Sequence, residues 1–242
     1  MAPLPDAFIT HLRDYGYHPR SNKHSDALAL VIVADLLKTC EILRSRAAAG
    51  GVVFDLNFDL QVKTASWNVD LVFGRPPATS APSSGLIRRS PPSTVQVAIE
   101  IKSVMTEHRK AVKNRKRDLE AHHEHVHNYD ENAIAGGVMV INQSPQFASP
   151  LREAVSTHAR GDKKAVSALV GHCVSELRNV AERAAAGHEG LDAKCALIVD
   201  MDNINLQATS FGTQAPTPQV GDPLHYDTFL QRICAQYQSR FG

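Results

Sequence analysis

The chain has 242 residues, 43% of them hydrophobic and 21% charged, which fits one globular unit with a sizeable core and excludes disordered, fibrous and low-complexity classes. Its formal charge is only +1, so any affinity for nucleic acid has to come from local clustering and not from a whole-molecule field.

After an irregular opening, residues 25–46 place Leu28, Val31, Ile32, Leu36, Leu37, Cys40 and Leu43 at three- and four-residue spacings. The spacing predicts a helix, capped by Ser25 and ended by Gly50-Gly51. Residues 52–62 alternate from Phe54 onward and predict a strand; residues 67–73 predict a second, antiparallel to it across a short connection. In that second strand Trp67, Val69, Leu71 and Phe73 share one face, and Asp70 lies on the other. Residues 74–94 are rich in Pro, Ser, Ala and Gly, with Arg75, Arg88 and Arg89 as their charges. They predict an extended surface loop, read as a solvated insertion ahead of a binding element.

Residues 95–103, Val-Gln-Val-Ala-Ile-Glu-Ile-Lys-Ser, predict a third strand. Strand alternation puts Val95, Val97, Ile99 and Ile101 on one side and Gln96, Ala98, Glu100 and Lys102 on the other. A helix over 107–129 and a buried strand over 134–142 follow. Beyond them 162–186 predict a helix, 195–202 a fifth strand, 214–223 a Pro-rich connection and 227–241 a closing amphipathic helix. The whole reads as a single domain over 1–242, with a core at 25–142 and a C-terminal elaboration over 150–242.

If the second and third strands are neighbours, Asp70 and Glu100 meet. Two close carboxylates repel each other unless a cation lies between them, which makes a hard-metal site the economical explanation, with Lys102 placed to face substrate charge or the attacking water. An isolated Glu-x-Lys is common and is ordinarily a solvated cross-strand pair; the order of elements around it is what gives it weight.

That order, with Asp70 on the second strand and Glu100-Ile101-Lys102 on the third, resembles the PD-(D/E)XK phosphodiesterase superfamily over residues 25–142. Val69 stands where the motif usually has proline, and the Pro/Ser loop lengthens the gap from Asp70 to Glu100. The resemblance implies an α/β fold with a restriction-endonuclease-like αβββαβ core, a mixed central sheet flanked by helices, and a C-terminal α/β extension. It further implies a Mg2+-dependent nuclease, with Mn2+ able to substitute. Asp70, Glu100 and the Ile101 carbonyl would be metal ligands and Lys102 would lie near the nucleophilic water. Some members add an acid from the first core helix; Glu41 is the candidate carried forward and Asp35 the alternative on the same predicted helix.

The helix after the third strand carries six Lys/Arg within residues 109–117 and no acid. Val112, Leu119 and Val126 can seat it on the sheet, leaving Lys110, Lys113 and Arg117 for solvent or phosphate. The histidines that follow, His122, His123, His125 and His127, are read as surface or packing residues ahead of zinc ligands. Asp200 and Asp202 end an apolar strand, and with Asn203 they are read as strand-end caps, because too little chain follows to complete an Asp-x-Asp phosphotransferase.

Cys40, Cys173, Cys195 and Cys234 form no Cys-x-x-Cys pair and read as buried free thiols in a reducing compartment. With no signal-peptide pattern and no membrane-length apolar stretch, the expectation is a soluble cytoplasmic protein. The functional expectation is a metal-dependent endonuclease on double-stranded DNA, a homodimer, acting in restriction or defence. The competing readings are a repair or recombination nuclease and a catalytically inactive nucleic-acid-binding module of the same fold.

Overall fold

The computed structural model describes residues 4–77, 87–151, 155–157, 163–185 and 187–242. The helices are α1 (Asp6–Tyr15), α2 (Lys23–Thr39), α3 (Glu41–Ala48), α4 (His108–Tyr129), α5 (Lys163–Arg178) and α6 (Tyr226–Phe241). The strands are β1 (Val53–Val62), β2 (Ala65–Arg75), β3 (Arg88–Arg89), β4 (Thr94–Val104), β5 (Ile134–Asn142), β6 (Gln146–Ala148), β7 (Val155–Thr157), β8 (Ala193–Asp200) and β9 (Ser210–Phe211).

One seven-stranded sheet has the order β3-β1-β2-β4-β5-β8-β9, and β6 pairs with β7 separately. β1, β2 and β4 form an antiparallel meander, whereas β4, β5 and β8 are parallel and so need crossovers, which α4 and α5 supply. Both crossover helices pack over Val72, Ala98, Met139 and Ile198; α1, α2, α3 and α6 pack over Leu71, Ile99, Val138 and Leu197 on the opposite face. The chain is therefore an α/β protein with a mixed sheet between helical layers. Cover on both faces explains why β5 is an unbroken buried run. Among the described residues no helix is long and apolar enough to cross a membrane.

Several expectations change. The opening is not irregular: α1 buries Phe8, Ile9 and Leu12. The helix expected over 25–46 is two helices, broken where Cys40 takes an extended conformation (φ −110°, ψ 97°), and Ser25 lies inside the first turn of α2 with Asn22 at the cap position. Cys40 is bonded to Cys234 of α6, so two of the four cysteines are not free thiols; Cys173 and Cys195 are free and buried. The partners are 194 positions apart, so no spacing motif could announce the pair. The helix expected to reach 186 ends at Arg178, where the buried Lys194 ammonium donates to the Arg178 and Val180 carbonyls at 2.8 and 2.5 Å and satisfies the helix end. Within 74–94, residues 78–86 lie outside the described residues, and Arg88–Arg89 pair parallel with β1.

The expected strand faces are corrected at two places. Gly74 pairs with Val95 but Phe73 with Val97, so Gln96 is a β-bulge. The extra residue turns Val95 toward the α4 side together with Ala98, and sends Gln96 the other way, where its Oε1 accepts from the Tyr237 hydroxyl at 3.1 Å. In β2, Leu71 and Phe73 face the α2/α6 side, but Val69 and Trp67 face α4. The ladder passes from Leu56↔Leu71 to Phe58↔Val69, and the intervening Asn57 is left-handed (φ 53°), so alternation resets at Asp70. A Cβ on Gly74, beside the bulge, would lie 1.9 Å from the Thr94 carbonyl oxygen, whereas one on Gly51 would meet only the Arg46 carbonyl at 3.4 Å. Gly74→Ala is expected to lower stability by about 3 kcal/mol in urea unfolding, through overpacking against backbone that cannot yield, with Gly51→Ala close to wild type.

Candidate active site

β2 and β4 are paired from Arg75↔Thr94 as far as Leu71↔Ile99 and then part. Side chains close the gap. Asp70 Oδ2 accepts the Ile101 backbone N–H at 2.7 Å, and the backbone N–H of Asp70 is turned to the Glu100 carboxylate. The Ile101 N–H thus holds Asp70 beside Glu100 where the two strands part. Lys102 makes a direct ion pair with Glu100 Oε1.

Glu100 is 2% exposed. Burial, with the Asp70 charge added, outweighs Lys102 and the Asp70 N–H and pushes its carboxyl up to about 7. Burial also raises Asp70, assisted by the Asp26 charge and opposed by the Ile101 N–H, Lys102 and the Ser25 hydroxyl. Burial works against the Lys102 ammonium, but Glu100 and Asp70 overcome it and hold its pKa above the ordinary lysine value.

Glu100 Oε2 is buried with no hydrogen-bond partner, and 3.9 Å from it lies His122 Nδ1, also buried and unpartnered. His122 is completely buried, which drives its pKa down to about 3 and keeps the imidazole neutral. Its Nε2 is 3.3 Å from the Ala98 carbonyl, so the proton sits there and Nδ1 presents a lone pair to Glu100. Two acceptors facing each other require a proton or a cation near Oε2.

α2 points its N-terminal turn at this site. Its contribution is Ser25 and Asp26, the latter fixed by a 2.8 Å bond from Asn57 Nδ2. Asp35 lies nine residues further along α2, about 14 Å at the helical rise, and is occupied by Lys38 and the Tyr226 hydroxyl. Glu41 is exposed at the start of α3. The structure therefore does not bring Glu41 or Asp35 to the pair, and Asp26 is the helix acid nearest it. The sequence carried its signal only as an acid in the first helical turn; which end of the helix meets the strand ends is a tertiary fact.

Val112, Leu119 and Val126 seat α4 on the sheet. Arg115 pairs with Asp118 and Lys116 with Glu120 and Glu176, whereas Lys110, Lys113 and Arg117 are exposed and have no acidic partner among the described residues. The histidines pack: His122 and His123 are buried, His125 lies against Trp67, and His127 meets Asp192. Asp202 caps the turn after β8, accepting the Ile204 and Asn205 N–H groups, and Asn203 ties that turn to Tyr17 and Ala148; Asp200 is half-buried and pairs with Ser210 in the sheet. Among the described residues no group of three or more His, Cys, Asp or Glu side chains is arranged to hold a metal ion; the set at the strand ends is two carboxylates beside a lysine.

No family model, curated protein or solved structure matches the chain.

Glu100 yields a pH dependence of definite sign. Between its unfolded value near 4.5 and its folded value of about 7, the unfolded chain releases the proton first, so stability falls as pH rises through that window. In EDTA the wild type is expected to lose on the order of 3 kcal/mol between pH 4.5 and 7.5 in urea melts, and Glu100→Gln to flatten most of that slope.

Proposed function

We propose that the chain is a metal-dependent endonuclease that hydrolyses phosphodiester bonds in double-stranded DNA, in a restriction or defence role. The observation that carries this reading is the meeting of Asp70, Glu100 and Lys102 where β2 and β4 part, with one buried Glu100 oxygen left unsatisfied. The connectivity α2-α3-β1-β2-β3-β4-α4-β5, in which β1, β2 and β4 form an antiparallel meander and α4 makes one parallel crossover, supports a restriction-endonuclease-like core.

The residues fit a hard divalent cation, Mg2+ with Mn2+ able to substitute. A cation would relieve the Asp70–Glu100 repulsion and answer the orphaned Oε2; Asp70, Glu100 and the Ile101 carbonyl would hold it, with Asp26 as the further acid nearby. When bound, such an ion supplies Lewis acidity toward the phosphoryl oxygen, a lowered pKa for the attacking water and charge relief at the departing 3′ oxygen. Lys102, whose side chain is partly exposed, stabilises the charge that grows on the phosphate. The Ile101 N–H fixes the Asp70 carboxylate and Lys102 holds Glu100 Oε1. Lys110, Lys113 and Arg117 on α4 contact phosphates and set affinity without reading sequence. A two-fold dimer is the simplest arrangement for cutting both strands with one such site per chain.

The direct Lys102–Glu100 ion pair also suits a second reading, a DNA-binding module in which the pair only satisfies a buried carboxylate. Plasmid incubation with Mg2+ against EDTA separates the two. The nuclease reading expects metal-dependent nicking or cutting, reduced at least ~10²-fold in Asp70→Asn and Lys102→Ala while gel retardation persists; retardation without cleavage in the wild type contradicts it. Charge reversal at Lys113 and Arg117 is expected to weaken binding evenly across sequences and to flatten its salt dependence by roughly one counterion per lost contact.

A further inference from the structure

One residue beyond Lys102, at the end of β4, the chain surrounds a cleft of about 240 Å3. Its walls include Tyr17 from the α1–α2 connection, Ser103 of β4, Phe147 of β6, and Lys110, Asn114 and Arg115 of α4, with Glu107 as the acid on the wall.

Tyr17 and Phe147 meet edge to face, with centroids 6.1 Å apart, and His24 stacks behind Tyr17 at 4.7 Å. The Tyr17 backbone is clamped on both sides, its N–H donating to Asn203 Oδ1 at 2.8 Å and its carbonyl accepting from Asn203 Nδ2 at 3.1 Å. This makes a rigid aromatic shelf. Opposite it, Arg115 gives Nη1 to Asp118 at 2.9 Å, but its Nε is buried with no partner, and Lys110 is exposed. The N-terminal turn of α4, with its partial positive charge, also borders the space. The shelf suits a flat ring and the facing wall an anion. At about 240 Å3 the cleft is below the roughly 300 Å3 at which ordinary small-molecule pockets begin, so it has room for at most one base with its phosphate at the open rim and none for a base pair.

We propose that this cleft is a subsite for a single unpaired nucleotide of the DNA strand beside the bond being cut, its base against the partly exposed Tyr17, which Phe147 backs from the core, and its phosphate toward Lys110 and the outer guanidinium of Arg115. The subsite rests on the nuclease reading and adds to it a preference for a frayed or extruded base next to the cut, because a base still paired in the duplex cannot reach the shelf.

The test uses the full chain in EDTA with two short duplexes, identical except that one carries a single unpaired 5-iodouracil, read by fluorescence anisotropy and by photo-cross-linking. The unpaired duplex is expected to bind about tenfold more tightly and to cross-link to Tyr17. Tyr17→Leu and the exposed Lys110→Glu should each reduce that preference with circular dichroism unchanged. Equal binding of the two duplexes, cross-links mapping outside the cleft, or a preference that survives both variants would overturn the subsite. Because binding is read without metal, a wild type that prefers the unpaired base but never cuts in Mg2+ sinks the nuclease reading alone, and cutting with no effect of Tyr17→Leu sinks the subsite alone.

Discussion

The hydrogen bond from the Ile101 backbone to the Asp70 carboxylate stands where a ladder bond between β2 and β4 would otherwise be. Separating two strands inside a covered sheet exposes backbone groups that must be satisfied, and here acidic side chains do it. The carboxylates are therefore drawn into the sheet by the backbone, and the mutual repulsion that follows is a consequence of the fold. Burial leaves water a minor partner for Glu100, so what balances it is Lys102 on one oxygen and, on the other, a proton or a cation.

Everything around this opening serves to hold it. The bulge at Gln96 resets β4 so that Glu100 and Ala98 face α4, and the left-handed Asn57 resets β1 against Asp70 while bonding Asp26 of α2. His122 presses from α4 with its proton committed to the Ala98 carbonyl. The same helix that seals the buried side of the carboxylates with His122 and Leu119 presents Lys113 and Arg117 to solvent, so core packing and the electropositive surface come from one element.

Much of this was legible in the residues. Period-2 and period-3.6 patterns located the meander, the crossover and α4 within a few residues, because each element buries apolar residues at the spacing its backbone sets over most of its length. Asp70, Glu100 and Lys102 were recognisable because lone charges in apolar strands need a reason. What escaped was tertiary: the Cys40–Cys234 bond joins elements at opposite ends of the chain, the two register resets depend on what lies across the ladder, and Asp26 and Tyr17 reach the strand ends only through the way α1 and α2 pack. Helix α1 was hidden because its buried apolar residues, Phe8, Ile9 and Leu12, span little more than one turn.

The proposed divalent cation would lie between Asp70 and Glu100, in the opening between β2 and β4. Anomalous diffraction from crystals soaked in Mn2+ tests it without reliance on turnover. The account expects a single strong peak within coordination distance of both carboxylates, lost in Asp70→Asn. A peak confined to surface histidines, or none while Lys102 still fills Glu100, would contradict it.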